Sequence, residues 1–273
     1  MRSVFLNKLY DQMEIDETIF FLTADMGINL VERFEEKYPD RFLNVGIAEQ
    51  NLIGVASGLA ESGMRPYVYT ISNFLIHRCF EQIRNDIVLH NLPVVLIGTS
   101  TGYDNGALGP THHMLEDWGV ISNLPKIKIY APKNKLSAEN IFLKVTQDLS
   151  PSYVRIPKGD GVQESDLQIN LGNTDNVVIS YGSASKYGLE YARSKGMPLV
   201  LLEELGRESF YFLDQQITQF KTVTIVEDHF PTTGMYSFVC QWASSRNLEM
   251  KINSVSPSGY EMLVGFEFSD FLN

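Results

Sequence analysis

Short runs of β-branched and aromatic residues alternate along this chain with longer stretches whose apolar positions recur every three to four residues. The runs predict strands at 18–23, 42–45, 66–70, 94–99, 127–130 and 153–156, and the amphipathic stretches predict helices at 30–38, 49–61, 74–90 and 137–148. A shorter second series follows, with strands at 177–181, 199–203, 223–227 and 251–255 and helices at 187–195 and 235–246. Strand and helix in strict alternation imply parallel sheets, right-handed crossovers and helices on both faces. Between the two series lies PKGDGVQESDLQINLGNTDN, polar, Gly-rich and without apolar periodicity, which reads as a connector. The expected fold class is therefore α/β, with two doubly wound, mostly parallel domains at 1–170 and 171–273.

Composition narrows the function. The 273 residues are 44% hydrophobic and 20% charged, an ordinary globular balance. The net charge of −11 repels phosphate backbones, so nucleic acid is not an expected partner. Cys79 and Cys240 lie far apart with no CxxC spacing, which favours free thiols in a reducing compartment. The N-terminal segment is broken by charges every few residues, and no apolar run approaches the ~18 residues of a membrane span. A soluble, cytoplasmic protein without membrane contact is expected.

In an open α/β sheet, ligands gather at the carboxyl ends of the strands, where loops and helix N-termini present unpaired N–H groups. The unusual residues of the first domain collect there. Ala24-Asp25-Met26-Gly27 follows the first strand, GIAEQN at 46–51 the second and Ser72-Asn73-Phe74 the third. After the fourth comes STGYDNGALGPTHH at 100–113, far longer than the usual connection of about 2–6 residues. Each residue taken alone has a structural explanation. Glu49 suits a helix dipole, Asp25 a helix cap, Phe74 a helical core position, and His112 with His113 a solvated pair. His77, His90 and His229 read as packed or solvated histidines, and the residues by themselves leave both readings open.

Taken together, these segments resemble one group. GIAEQN with GVASGLAESGMRPYVYT, NFLIHRCFEQIRNDI at 73–87 and GPTHHMLEDWGVISNLPKIKIYAP at 109–132 resemble the pyrimidine-binding domain of thiamine-diphosphate enzymes of the transketolase family. VVISYGSAS at 177–185 and TIVEDH at 224–229 resemble that family's C-terminal domain. The resemblance implies a cofactor shared between two domains, usually from different polypeptides. The other domain carries a Gly-Asp-Gly motif that binds the diphosphate through Mg²⁺. Here Gly159-Asp160-Gly161 lies in the connector rather than opening a helix behind an apolar strand, so it is a decoy. The chain is thus expected to be the second half of a split transketolase. Its partner would be a separate diphosphate-binding subunit in an α2β2 heterotetramer, which supplies the Mg²⁺ ligands, with none from this chain.

The resemblance also implies roles. Glu49 would bond ring nitrogen N1′ of thiamine diphosphate, and Phe74 would supply the aromatic face for the pyrimidine. Asp25, Gln50, Ile71 and His77 would line the cofactor, with Ile71 and His77 standing where relatives often carry further aromatics. His112 would face the substrate with His113 in support, while Ser100, Lys158 and Arg155 would meet a sugar or sugar phosphate. Transketolases proper carry Asp immediately before GPTH and many carry His at the place of Ser100. Leu108 and Ser100 here point to a donor or acceptor other than the usual pentose phosphates, such as a deoxy, keto or nucleotide-linked sugar. The expected reaction is transfer of a two-carbon ketol unit between sugars. The β subunit of a 2-oxo acid dehydrogenase and a non-catalytic assembly subunit are the competing readings.

Overall fold

The computed structural model describes residues 1–167, 174–206 and 209–260. The chain opens with helix α1 (Arg2–Ile15), followed by strand β1 (Ile19–Thr23), α2 (Glu32–Lys37), β2 (Phe42–Asn44), α3 (Glu49–Glu61), β3 (Arg65–Ile71) and α4 (Ser72–Gln82). A π-helical turn (Ile83–Val88) extends α4 and leads to β4 (Val95–Thr99). Then come α5 (Asp117–Ile121), β5 (Lys128–Tyr130), α6 (Lys135–Gln147) and β6 (Ser152–Ile156). The second series is β7 (Asn176–Tyr181), α7 (Ser185–Lys195), β8 (Leu199–Leu202), α8 (Ser209–Gln216), β9 (Thr222–Val226), α9 (Met235–Ser245) and β10 (Lys251–Val255).

The strands form one sheet in the order β2-β1-β3-β4-β6-β5 and a second in the order β10-β9-β7-β8, every pairing parallel. The central strands are apolar on both faces because helices cover both. Neighbouring residues point to opposite sides. Phe21, Tyr67, Tyr69 and Ile97 pack under α1 and α6, whereas Leu22, Val68 and Leu96 pack under α3 and α4. This second layer does not stop at the domain: Trp118, Ile121 and Ile129 share one apolar cluster with Val177, Tyr181, Leu202 and Trp242. The edge strand β5 is covered by the chain after β8, where Ala131 N donates to Glu203 O and Leu205 N to Ile129 O.

Three helices escape the periodicity reading. α1 is interrupted by charges, yet Phe5, Leu6, Leu9 and Met13 form a fully buried stripe. α5 and α8 are too short to repeat a pattern. The boundary at residue 170 lies outside the described residues. Gly159 and Gly161 both have positive φ in the connector, and Asp160 pairs with Lys135 at 2.8 Å, with only a short 3₁₀ turn (Glu164–Leu167) following among the described residues. Cys79 is buried, Cys240 half-buried, and both are free thiols. Among the described residues no helix is long and apolar enough to cross a membrane.

Candidate active site

The strand order sets β2, β1, β3 and β4 side by side, so the loops that follow them open on one edge. Gly46, at φ +73°, turns the chain out of β2 into α3, and Glu49 stands in the first helical turn, where the helix dipole favours a carboxylate. Its side chain is 5% exposed, and its Oε2 accepts a hydrogen bond from Arg78 Nη1 at 2.9 Å. Arg78 lies one turn beyond Phe74 on α4, so its guanidinium stacks over that ring, 3.9 Å from the centroid. Gln50 Nε2 donates to the Arg78 carbonyl at 3.0 Å.

The long loop after β4 closes on the same spot. His112 meets Phe74 edge to face with centroids 5.2 Å apart, and its Nδ1 lies 3.0 Å from Thr111 Oγ1. Asn73 Nδ2 donates to the carbonyls of Thr111 at 3.0 Å and His113 at 2.8 Å, tying loop to helix. His77 Nδ1 is 3.2 Å from Asn73 Oδ1, and its Nε2 is 3.8 Å from Glu116 Oε2. His113 is buried against Tyr103 at 4.8 Å, with no hydrogen-bond partner for either ring nitrogen. Burial, reinforced by His112 beside it, pushes its pKa below the ordinary value. The structure thus brings Glu49, Gln50, Phe74, His77, His112 and His113 together.

The remaining candidates stand around this group. Ile71 is half-buried and precedes α4 in extended conformation. Asp25 is exposed at φ +41°, and its N–H donates to Asn44 Oδ1 at 2.9 Å, an atom that also accepts from Gly46 N at 3.0 Å. Ser100 is buried at φ +63°. Left-handed backbone at Asp25 and Ser100 places local strain on the edge that carries the site. Lys158 is exposed beside the loop, its N–H donating to Asp104 Oδ2 at 2.7 Å and its Nζ to Asn105 Oδ1. Burial, with Asp228 adding, pushes the Asp104 carboxyl up to about 6, against the opposing Lys158 N–H.

The expectation for Arg155 needs correction. It is fully buried, with Nε on Asp117 Oδ2 at 2.8 Å and Nη2 on Asp228 Oδ1 at 3.2 Å, so two carboxylates of the chain occupy it instead of a phosphate. His229 joins the same cluster, Nε2 at 2.6 Å from Asp117 Oδ1 and Nδ1 at 2.6 Å from the Tyr181 hydroxyl. Burial opposes the charge on Asp117, but Arg155 and His229 overcome it and hold its carboxyl well below the usual range. Sequence reasoning missed Arg78 and this cluster, and gave Asn73 no role beyond its place on the edge. The signals were present: Arg78 lies four residues after Phe74, and Arg155 is a lone cation inside the strand run SYVRI.

Comparison with known proteins concerns the family and the fold. Residues 1–162 match the transketolase pyrimidine-binding domain family. A putative transketolase C-terminal section from Methanocaldococcus jannaschii is 28% identical over 253 residues, 86% of this chain and 79% of that protein. A 1-deoxy-D-xylulose-5-phosphate synthase from Halothermothrix orenii is 31% identical over 251 residues, and the chain spans only 39% of its length. Among solved structures, one described as a split gene transketolase, inactive beta4 tetramer, superposes with a TM-score of 0.80 at 24% identity, covering 95% of this chain and 89% of that one. A transketolase from Campylobacter jejuni superposes at 0.74 with 15% identity, covering 94% and 41%. The fold of both sheets is shared, and the chain belongs to the transketolase family, corresponding to its C-terminal section, with the pyrimidine-binding domain in residues 1–162.

Proposed function

We propose that this chain is the pyrimidine-binding half of a two-subunit enzyme that moves a two-carbon ketol unit between sugars with thiamine diphosphate. One observation carries the reading: a buried carboxylate at the start of α3, an aromatic ring in the first turn of α4 and an imidazole from the long loop after β4 meet at Glu49, Phe74 and His112. These residues fit one end of the cofactor, with Glu49 for the ring nitrogen, Phe74 for the ring face and the unpartnered His113 nitrogens for polar atoms nearby. They do not fit the other end. Mg²⁺ and the diphosphate are assigned to a partner subunit in an α2β2 assembly, a reading supported by the relative described as a C-terminal section and by the split gene transketolase structure. Ile28, Ile47 and Leu108, exposed on three loops of this edge, support a partner docking there.

Bound thiamine diphosphate supplies a carbon nucleophile for a ketose carbonyl. Glu49 would share a proton with the pyrimidine from its buried place at the helix start, where Arg78 engages Oε2 alone. Phe74 orients the ring. His112, with Nδ1 turned to Thr111, keeps Nε2 for a substrate oxygen, where a donor steadies negative charge as it develops. The 1-deoxy-D-xylulose-5-phosphate synthase relative, together with Leu108 before GPTH, favours a second reading in which a 2-oxo acid is the donor and a deoxyketose the product. Both are tested by purifying the chain with a diphosphate-binding subunit, adding thiamine diphosphate and Mg²⁺, and assaying ketose donors beside pyruvate. Ketose turnover that falls at least about 100-fold in Glu49→Gln is expected, the loss typical of removing an acid–base group. Turnover of pyruvate with an aldehyde selects the second reading, and wild-type rates in Glu49→Gln reject both.

A further inference from the structure

The loop that carries His112 and His113 is long, yet its base is locked. Gly102 N donates to Met114 O at 3.0 Å and Met114 N to Gly102 O at 2.9 Å, closing 102–114. The second domain lies against this base. Glycine is needed at 102 twice over: φ is +55°, and a Cβ there would stand 1.9 Å from Asp228 Oδ2. Ser183, just past β7, donates its hydroxyl to Asp228 Oδ2 and sits 3.2 Å from Thr101 Oγ1. Arg155 Nη2 bridges the two sides, 3.2 Å from Asp228 Oδ1 and 3.4 Å from the Met114 carbonyl. Thr101, Arg155 and Asp228 are all buried.

The three residues that follow β9 divide their work. Glu227 accepts from Met235 N at 2.6 Å and Tyr236 N at 3.0 Å, which caps α9. His229 turns to Asp117 and Tyr181. Asp228 alone of the three packs against Gly102, in a dry site where charge-assisted hydrogen bonds are strong. We propose that Asp228 and Ser183 are positioning residues of the active site: with Arg155 they clamp the base of the 102–114 loop from the second domain and so fix His112 and His113. The claim that this matters to substrate rests on the function proposed above; the clamp itself does not.

The test uses the full chain with Ser183→Ala and Asp228→Asn, followed by hydrogen exchange and by NMR of the five histidine rings. Amides at 101–114 are expected to exchange about tenfold faster, the effect of losing one buried hydrogen bond. Ring signals of His112 and His113 shift, while those of His90 and the exchange of the β1 and β3 amides stay as in the parent. Unchanged loop exchange overturns the proposal, and so does acceleration spread evenly over the chain. Ser183→Ala removes a single hydroxyl and decides the matter if Asp228→Asn does not fold. In the complex with its partner, Ser183→Ala is expected to raise KM for the sugar about tenfold without weakening thiamine diphosphate. A loosened loop with unchanged KM leaves the clamp standing and refutes the substrate role of His112.

Discussion

Arg78 sits on the two groups proposed above to meet a pyrimidine ring. It holds the Glu49 carboxylate and covers the face of Phe74, while its own side chain is 47% exposed. On the function proposed above, a pyrimidine that stacks on this face of Phe74 takes the place of the guanidinium. A half-exposed ion pair contributes about 0.2–1 kcal/mol and a surface cation–π contact about 0.5–1 kcal/mol. Arg78→Ala is therefore expected to tighten thiamine diphosphate binding by the complex roughly three- to thirtyfold in calorimetry. Weaker binding identifies Arg78 as a holder of the cofactor instead of an occupant of its place. Glu49, Phe74 and His112 were legible as candidates because each lies in a loop or helix start after a predicted strand, within a motif that resembles the family's. Arg155 was misread because its partners Asp117 and Asp228 are 38 and 73 residues away, and only the folded chain discloses them.

At the scale of elements, the sequence was clearest where pattern and boundary signals agreed. α3 begins at Glu49 after the Gly46 turn and ends at Glu61, as expected. The helix expected at 74–90 is shorter as an α-helix. It changes to a π-turn over Ile83–Val88, where Ile83, Ile87 and Val88 are all buried and the apolar spacing no longer follows a single helical face. α6 starts with a local cap that also pins the connector. Asn134 Oδ1 accepts from Ser137 N at 2.9 Å, and its Nδ2 donates to Glu164 Oε1 at 2.7 Å. Asn134→Ala is expected to cost about 1–2 kcal/mol, read from urea unfolding, since a buried cap and its second bond are lost together. A loss below about 0.5 kcal/mol contradicts the cap.

The whole molecule should carry a pH signature from its interdomain charge cluster. Burial and Arg155 act against a proton on His229, but Asp117 and Asp228 outweigh them and raise its pKa from 6.5 to about 9. A raised folded-state pKa means that the native chain holds this proton more tightly than the unfolded one. The stability it contributes is complete below about 6.5 and is lost as pH rises through about 9. Burial likewise raises Glu227 to about 7, which erodes stability in the same direction between its ordinary 4.5 and 7. The melting temperature is expected to fall from pH 6.5 to 9.5 by circular dichroism, and His229→Gln to flatten the curve above pH 7 at a lower plateau. A flat parent profile rules out a charged His229.

The apolar layer under α3, α4 and α5 runs on into the second sheet without a seam, and this has a consequence for how such a gene can be recombined. Residues 1–162 lifted onto another scaffold would leave Trp118 and Ile121 stripped of Tyr181 and Trp242, a greasy wound where the second sheet had packed. Shuffling, in evolution or at the bench, therefore inherits the two halves of this chain as one cassette.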